Sequence, residues 1–256
     1  MLPGCRRVSE WLVPDWPAPA NVIARATTRS GGVSEGCYGT FNLGGHVGDA
    51  PAAMRENRRR FREALGLLYE PGWLQQVHGN TVVDAGDTCE RPPEADASVS
   101  REIGRASVVL TADCLPVLFA AVDGSVVGAA HAGWRGLLGG VLENTVRALE
   151  APPAGLLAWL GPAISQAAFE VGAEVRDAYT AADPAAAVHF EANARGRYQA
   201  DLYALARQRL ANAGVDAVFG GEFCTYTDRD RFYSYRRDGE CGRMASVIAL
   251  TAAPGT

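Results

Sequence analysis

Three apolar runs between residues 106 and 130 constrain the architecture of this chain more than any other feature. Residues 106–110, 115–121 and 125–130 are rich in Val, Leu and Ala, and none shows clean apolar/polar alternation. A strand with one wet face must alternate, so such runs predict strands covered on both faces. The remaining periodicities supply neighbours and cover. Residues 22–28, 73–78, 81–85, 156–160, 217–219 and 246–250 read as further strands. Residues 135–150 carry a helical stripe ended by Pro152-Pro153, and residues 173–182 and 199–213 read as helices. Asp49 is a plausible N-cap ahead of Pro51, opening a helix to Leu67 with Phe61 and Leu65 on its apolar side and arginines on its wet face. The expectation is an α/β (α+β) fold: one domain over 19–256 with a mixed, largely antiparallel sheet flanked by helices, preceded by an irregular arm over 1–18.

Composition excludes several chemistries. The chain has 256 residues, 24 arginines and no lysine. Schiff-base catalysis, pyridoxal attachment and a Walker lysine are therefore ruled out. Any phosphate must be held by arginine, backbone N–H groups or hydroxyls. A formal charge of −5 argues against nucleic acid as the main partner. No apolar run approaches the roughly 18 residues that cross a bilayer, and no signal peptide precedes the arm, so a cytoplasmic protein is expected. The six cysteines contain no C-x-x-C pair, which removes the usual zinc knuckle and the nucleobase-deaminase signature. They read as free thiols.

The chemistry-bearing residues sit around the apolar runs. Cys114 lies in Thr111-Ala112-Asp113-Cys114-Leu115-Pro116, His131 in His131-Ala132-Gly133-Trp134-Arg135-Gly136, and His78 in Gln75-Gln76-Val77-His78-Gly79-Asn80. If residues 115–121 and 125–130 pair as a hairpin about Asp123-Gly124, Cys114 and His131 meet at its open end. Two imidazoles and a thiolate suit a zinc site with an open fourth position. They equally suit a Cys/His nucleophile pair. Taken singly, Cys114 reads as a small core residue and His131 as a satisfied core histidine. The scarcity of histidine, four in all, and the glycines flanking these two strengthen the functional reading.

With those motifs, Thr28-Arg29-Ser30-Gly31-Gly32-Val33-Ser34, Asn42-Leu43-Gly44 with His46, Gly161-Pro162-Ala163-Ile164-Ser165 and Ser234-Tyr235-Arg236-Arg237 with Gly242-Arg243, the chain resembles the YfiH (laccase-domain) family from about residue 22 to 250. The resemblance implies a cysteine hydrolase-like α/β fold, with zinc held by His78, Cys114 and His131. It implies phosphorolysis of adenosine, inosine and methylthioadenosine, with purine nucleosides and phosphate as the small-molecule partners, and hydrolytic deamination of adenosine. Some bacterial members are linked to removal of a wrong amino acid from a peptidoglycan precursor. The family's older description, multicopper oxidase, fits poorly: four histidines without an H-x-H pair cannot furnish a blue-copper centre and a trinuclear cluster.

A zinc centre with an open position can activate water for deamination. For phosphate, Arg29 beside the glycines is the first candidate and Arg135 at a helix start the second. Asp113 could orient a ligand, act as base or cap a turn. His46 and Asn42 are candidate substrate contacts. Two other readings stay open: hydrolysis of an amide or ester by a Cys114 nucleophile with His131 as base, and a non-catalytic zinc-binding module.

Overall fold

The computed structural model describes residues 11–87 and 91–252. Its strands are β1 (Val22–Ala26), β2 (Val82–Asp84), β3 (Ala97–Ser100), β4 (Ala106–Thr111), β5 (Leu115–Ala121), β6 (Val127–Ala132), β7 (Leu156–Leu160), β8 (Glu170–Val171), β9 (Phe190–Ala192), β10 (Tyr198–Ala200), β11 (Ala217–Gly220) and β12 (Met244–Leu250). The helices are α1 (Pro51–Leu65), α2 (Trp134–Leu138), α3 (Val141–Ala148), α4 (Ala173–Ala182), α5 (Leu202–Asn212) and α6 (Tyr235–Asp238).

The doubly buried strands lie where their lack of alternation requires. A six-stranded sheet runs β11-β7-β5-β6-β3-β2, with β5 antiparallel to both β6 and β7. Alternate residues of β5 enter two different cores. Val117, Phe119 and Ala121 meet Leu142, Val146 and Leu205 of the helices. Leu118 and Ala120 meet Ala24, Val109 and Ile248 of a second sheet, β1-β12-β4. The outer face of that sheet packs Val108, Leu110 and Val247 on Phe41, Phe61 and Trp73 beneath α1. The result is a mixed, largely antiparallel α/β architecture of alternating helix and sheet layers, and every residue of β4, β5 and β6 is buried. A small sheet, β8-β10-β9, lies beside the main one.

Several expectations are corrected. Residues 73–78 form no strand; Gln75 makes one parallel bridge to Glu94. The Gln76 amide takes the place of a ladder, accepting from Leu110 N at 2.7 Å and donating to Leu110 O at 2.9 Å. The helix expected over 135–150 breaks into α2 and α3 because Gly140 turns left-handed at φ 89°. Residues 199–200 belong to β10, so α5 starts later, with Asp201 as its cap. Ala50, not Asp49, caps α1; the Asp49 carboxylate is taken by Ser34 Oγ and Asn42 Nδ2. The arm is not wholly irregular, since Leu12 pairs with Ala26 and Trp11 packs on Phe41 and Phe61; residues 1–10 lie outside the described residues. Strands β3, β8 and β9 and helix α6 escaped the sequence reading, β3 because residues 97–100 are short and half serine.

Candidate metal centre

The β5–β6 hairpin forms as expected, with Pro116 opposite His131, so Cys114 and His131 share one end of it. His131 lies inside β6, not beyond it, and is buried. His78 arrives from an exposed bend at φ 60°. The ligand atoms of His78, Cys114 and His131 all lie within 4.8 Å of one another. Cys114 Sγ stands 3.9 Å from His78 Nε2, and the two imidazoles meet edge to face at 4.8 Å between ring centroids. Of three non-glycine residues with positive φ among those described, two are His78 and Asp113, next to Cys114. Such conformations cost about 1–3 kcal/mol each and persist only where the surroundings enforce them.

Asp96 does the enforcing at His78. This carboxylate is wholly buried. Its Oδ1 lies 2.8 Å from His131 Nδ1 and accepts from His78 N at 2.9 Å, while Oδ2 accepts from Gly79 N at 2.7 Å. Its own carbonyl accepts from His131 N at 2.7 Å. One acid thus fixes the ring of one ligand and the backbone turn of the other, leaving His131 Nε2 free to face the centre. The sequence carried a faint signal for it: a single acid leading into the small-residue run 97–100.

The glycines of the His131-to-Gly136 motif have steric causes. A Cβ on Gly133 would stand 3.0 Å from both Cys114 Sγ and His78 Cδ2. A Cβ on Gly136 would meet Gly79 O at 2.7 Å. Only glycine lets α2 close over the two turns.

Electrostatics favour a charged ligand pair. Burial pushes the Cys114 thiol up, but His131 beside it and hydrogen bonds from His131 and His78 outweigh this and hold it down at about 6. Burial likewise opposes charge on His131, yet the Cys114 thiolate and the Asp96 carboxylate raise it to about 9. Asp96 is itself held low despite its burial, chiefly by the hydrogen bond with His131. A thiolate and two imidazoles are an N/S donor set suited to zinc, one that releases protons as metal binds.

The three ligands open into a cavity of about 460 Å³, whose wall also includes His46, Gln76, Tyr235 and Arg243. His46 is therefore placed at the site. Its basicity is lowered by burial and by Arg243 and Arg58. Asn42 is not at the site: it is fully buried and holds Gly44 N, Gly44 O and Arg243 N. Arg29 lines a separate cavity with Thr40 and Asp238, its Nε and Nη1 donating to Gly39 O and Arg229 O and its guanidinium stacked over Tyr233. Arg135 stacks on Trp134 and lines a second cavity that also reaches Cys114. The Asp113 carboxylate accepts from Thr225 Oγ1 at 2.6 Å and Arg236 N at 2.7 Å, which ties α6 to the ligand loop. The sequence presents Arg243 and Tyr235 only as parts of motifs, because nothing local says that the C-terminal segment returns to this cavity.

Comparison with known proteins gives a consistent result. The family model described as multi-copper polyphenol oxidoreductase laccase matches residues 23–251. A Pseudomonas aeruginosa protein named purine nucleoside phosphorylase is 55% identical over 244 residues, covering 95% of this chain and 99% of that one. The Escherichia coli protein named purine nucleoside phosphorylase YfiH is 51% identical over 243 residues, covering 95% of this chain and all of its own length. A Neisseria meningitidis crystal structure described as DUF152 superposes with a TM-score of 0.92 at 53% identity, covering 94% of this chain and 99% of that one. YlmD of Geobacillus stearothermophilus superposes with a TM-score of 0.89 at 31% identity, covering 96% and 98%. Among the described residues no helix is long and apolar enough to cross a membrane.

Proposed function

The chain belongs to the family described as multi-copper polyphenol oxidoreductase laccase, which includes the YfiH proteins, and from that premise we propose that it is a zinc-dependent purine nucleoside phosphorylase. The observation that carries this reading is the convergence of His78, Cys114 and His131 on one open cavity, in a chain more than half identical to relatives bearing that name. His78, Cys114 and His131 would hold the metal, and a bound zinc would supply Lewis-acid chemistry. The chain's own residues set the conditions for it. Asp96 holds the His131 ring and the His78 turn in register, and Gly133 and Gly136 keep the approach to them open. Asp113 anchors α6 over the mouth.

Copper-oxidase chemistry of the multinuclear kind is not part of the proposal, since His46 and His189 are the only histidines beyond the two ligands. Adenosine, inosine and methylthioadenosine are the proposed substrates, with hydrolytic deamination of adenosine as a second activity in the same cavity. The direct test is chromatography of adenosine and inosine reactions with metal-quantified protein, with and without phosphate. Phosphate-dependent release of adenine and hypoxanthine is expected; no base release from zinc-loaded protein would sink the reading.

The low thiol basicity of Cys114 beside His131 favours one rival specifically, a Cys nucleophile acting on an amide or ester such as a peptidoglycan precursor. That rival requires full activity in chelator-treated protein and its loss on iodoacetamide labelling of Cys114. Activity lost to chelator and restored by zinc excludes it.

A further inference from the structure

The cleft at the metal centre has two compartments of unlike character, meeting at Cys114 and under Tyr235. The first is the cavity with the histidines. Its wall carries the cation Arg243, the histidine His46 whose basicity is lowered, and no carboxylate. Arg243 lies across Gly44, where a Cβ would stand 2.8 Å from its Cγ, so this glycine is the bed of the arginine stem. Backbone carbonyls of Cys241 and Gly242 hold Nη1; no partner engages Nη2 or Nε among the described residues. The second compartment, about 690 Å³, lies beyond Cys114. Apolar and aromatic groups wall it, Trp134, Ile164, Phe169 and Val175 among them, with Arg135, Arg197 and Arg236 beside Glu170 and Glu174, and Arg197 paired with Glu170. The Arg236 guanidinium stacks on Phe169 at 5.4 Å and donates to Glu170 O. Tyr235, 61% exposed, lines both compartments.

On the reading of the chain as a nucleoside phosphorylase, we propose that inorganic phosphate binds in the carboxylate-free compartment at Arg243, and that the purine base lies in the aromatic compartment between Phe169 and Trp134, with Tyr235 overhanging the sugar. Carboxylates and free donors decide the assignment. A phosphate dianion is disfavoured where Glu170 and Glu174 share the wall with the arginines, and favoured in the carboxylate-free compartment where Arg243 Nη2 and Nε have no hydrogen-bond partner among the described residues. A purine needs flat apolar walls, which the second compartment has. In phosphorolysis a phosphate oxygen forms the new bond to the ribose C1′ while the bond from C1′ to the base nitrogen breaks. The base keeps that electron pair, and the proton of hydrogen phosphate ends on it. Arg135 and Arg236 are placed to offset charge on the departing base.

The test is steady-state kinetics on zinc-loaded protein with phosphate and nucleoside varied separately. Arg243→Gln is expected to raise KM for phosphate at least tenfold and to change KM for adenosine less than threefold. Arg243→Lys, which restores the charge, should recover part of the phosphate affinity and guards against a merely loosened loop. Arg236→Ala is expected to do the reverse, raising KM for adenosine about tenfold with phosphate KM held. An active wild type whose Arg243→Gln variant keeps its phosphate KM, or whose two variants exchange effects, overturns the compartment assignment alone. A zinc-loaded wild type that releases no base overturns the assignment together with the reading beneath it.

Discussion

His131 and His78 offer ligand atoms to one centre from opposite kinds of backbone. His131 is a strand residue, 3% exposed, with its ring against a buried carboxylate and its N–H in the Asp96 carbonyl. His78 sits in an exposed left-handed bend, and what Asp96 holds there is the peptide, not the ring. The centre is thus rigid on one side and adjustable on the other, with one acid serving both. Removing either ligand should silence the metal site, but only one removal should threaten the fold.

That contrast can be broken most forcefully by His131→Ala against His78→Ala. Both should lose stoichiometric zinc by elemental analysis. His131→Ala also removes the imidazole from buried Asp96, leaving it only backbone N–H donors; breaking a buried pair costs about 3–5 kcal/mol, and at about 2–4 °C per kcal/mol for a domain of this size its melting temperature should fall by about 6 °C or more. His78→Ala, at an exposed bend, should stay within about 0.5 kcal/mol of metal-free wild type. Equal melting temperatures for the two would mean that Asp96 does not depend on His131.

Asp96→Asn tests the shared support. Zinc affinity should weaken by about 10–100-fold, the range for lost ligand-orienting partners, as read by competition with a chromogenic chelator. Unchanged affinity would show that packing alone holds the two ligands.

Gly136→Ala should be smaller, about 1–3 kcal/mol in denaturant unfolding, because its Cβ meets the Gly79 carbonyl at 2.7 Å. The same change at Gly139, whose nearest such contact is 3.2 Å, should cost less.

The smallest expected effect is a shift in midpoint. In zinc-stripped protein the Cys114 thiol, held low chiefly by His131 against the opposing effect of burial, should ionise as pH rises through about 6. Iodoacetamide labelling should therefore accelerate through that pH and level off. His131 keeps its proton until pH passes about 9, so the plateau should persist through neutrality. His131→Ala should move the midpoint up further than His78→Ala; the reverse order would assign the stabilising charge to the wrong imidazole.

The three candidate ligands were legible in the sequence because each sits in a motif whose glycines and small residues announce a crowded turn. The doubly buried strands were legible because the absence of alternation has few other causes. Asp96 was not, since a lone acid looks the same whether it caps a turn or anchors a ligand. Arg29 lies in a cavity apart from the three ligands, with its Nε and Nη1 on the carbonyls of Gly39 and Arg229, a separation that no local pattern records. The failure over 73–78 came from Gln76, whose side chain replaces a strand ladder with two hydrogen bonds that no periodicity records.

By itself the sequence determined the layered α/β class and pointed to the His78, Cys114 and His131 trio that the fold brings together, because burial on two faces and close approach of crowded groups both restrict residue type locally. Tertiary structure alone decided what surrounds the trio. Arg243 and Tyr235 lie more than a hundred residues from Cys114 and His131 along the chain, and Asp96 lies 35 residues from His131. Their roles arise from strand order and the return of the C-terminal segment, and contacts across such separations leave no mark on the local pattern of residues.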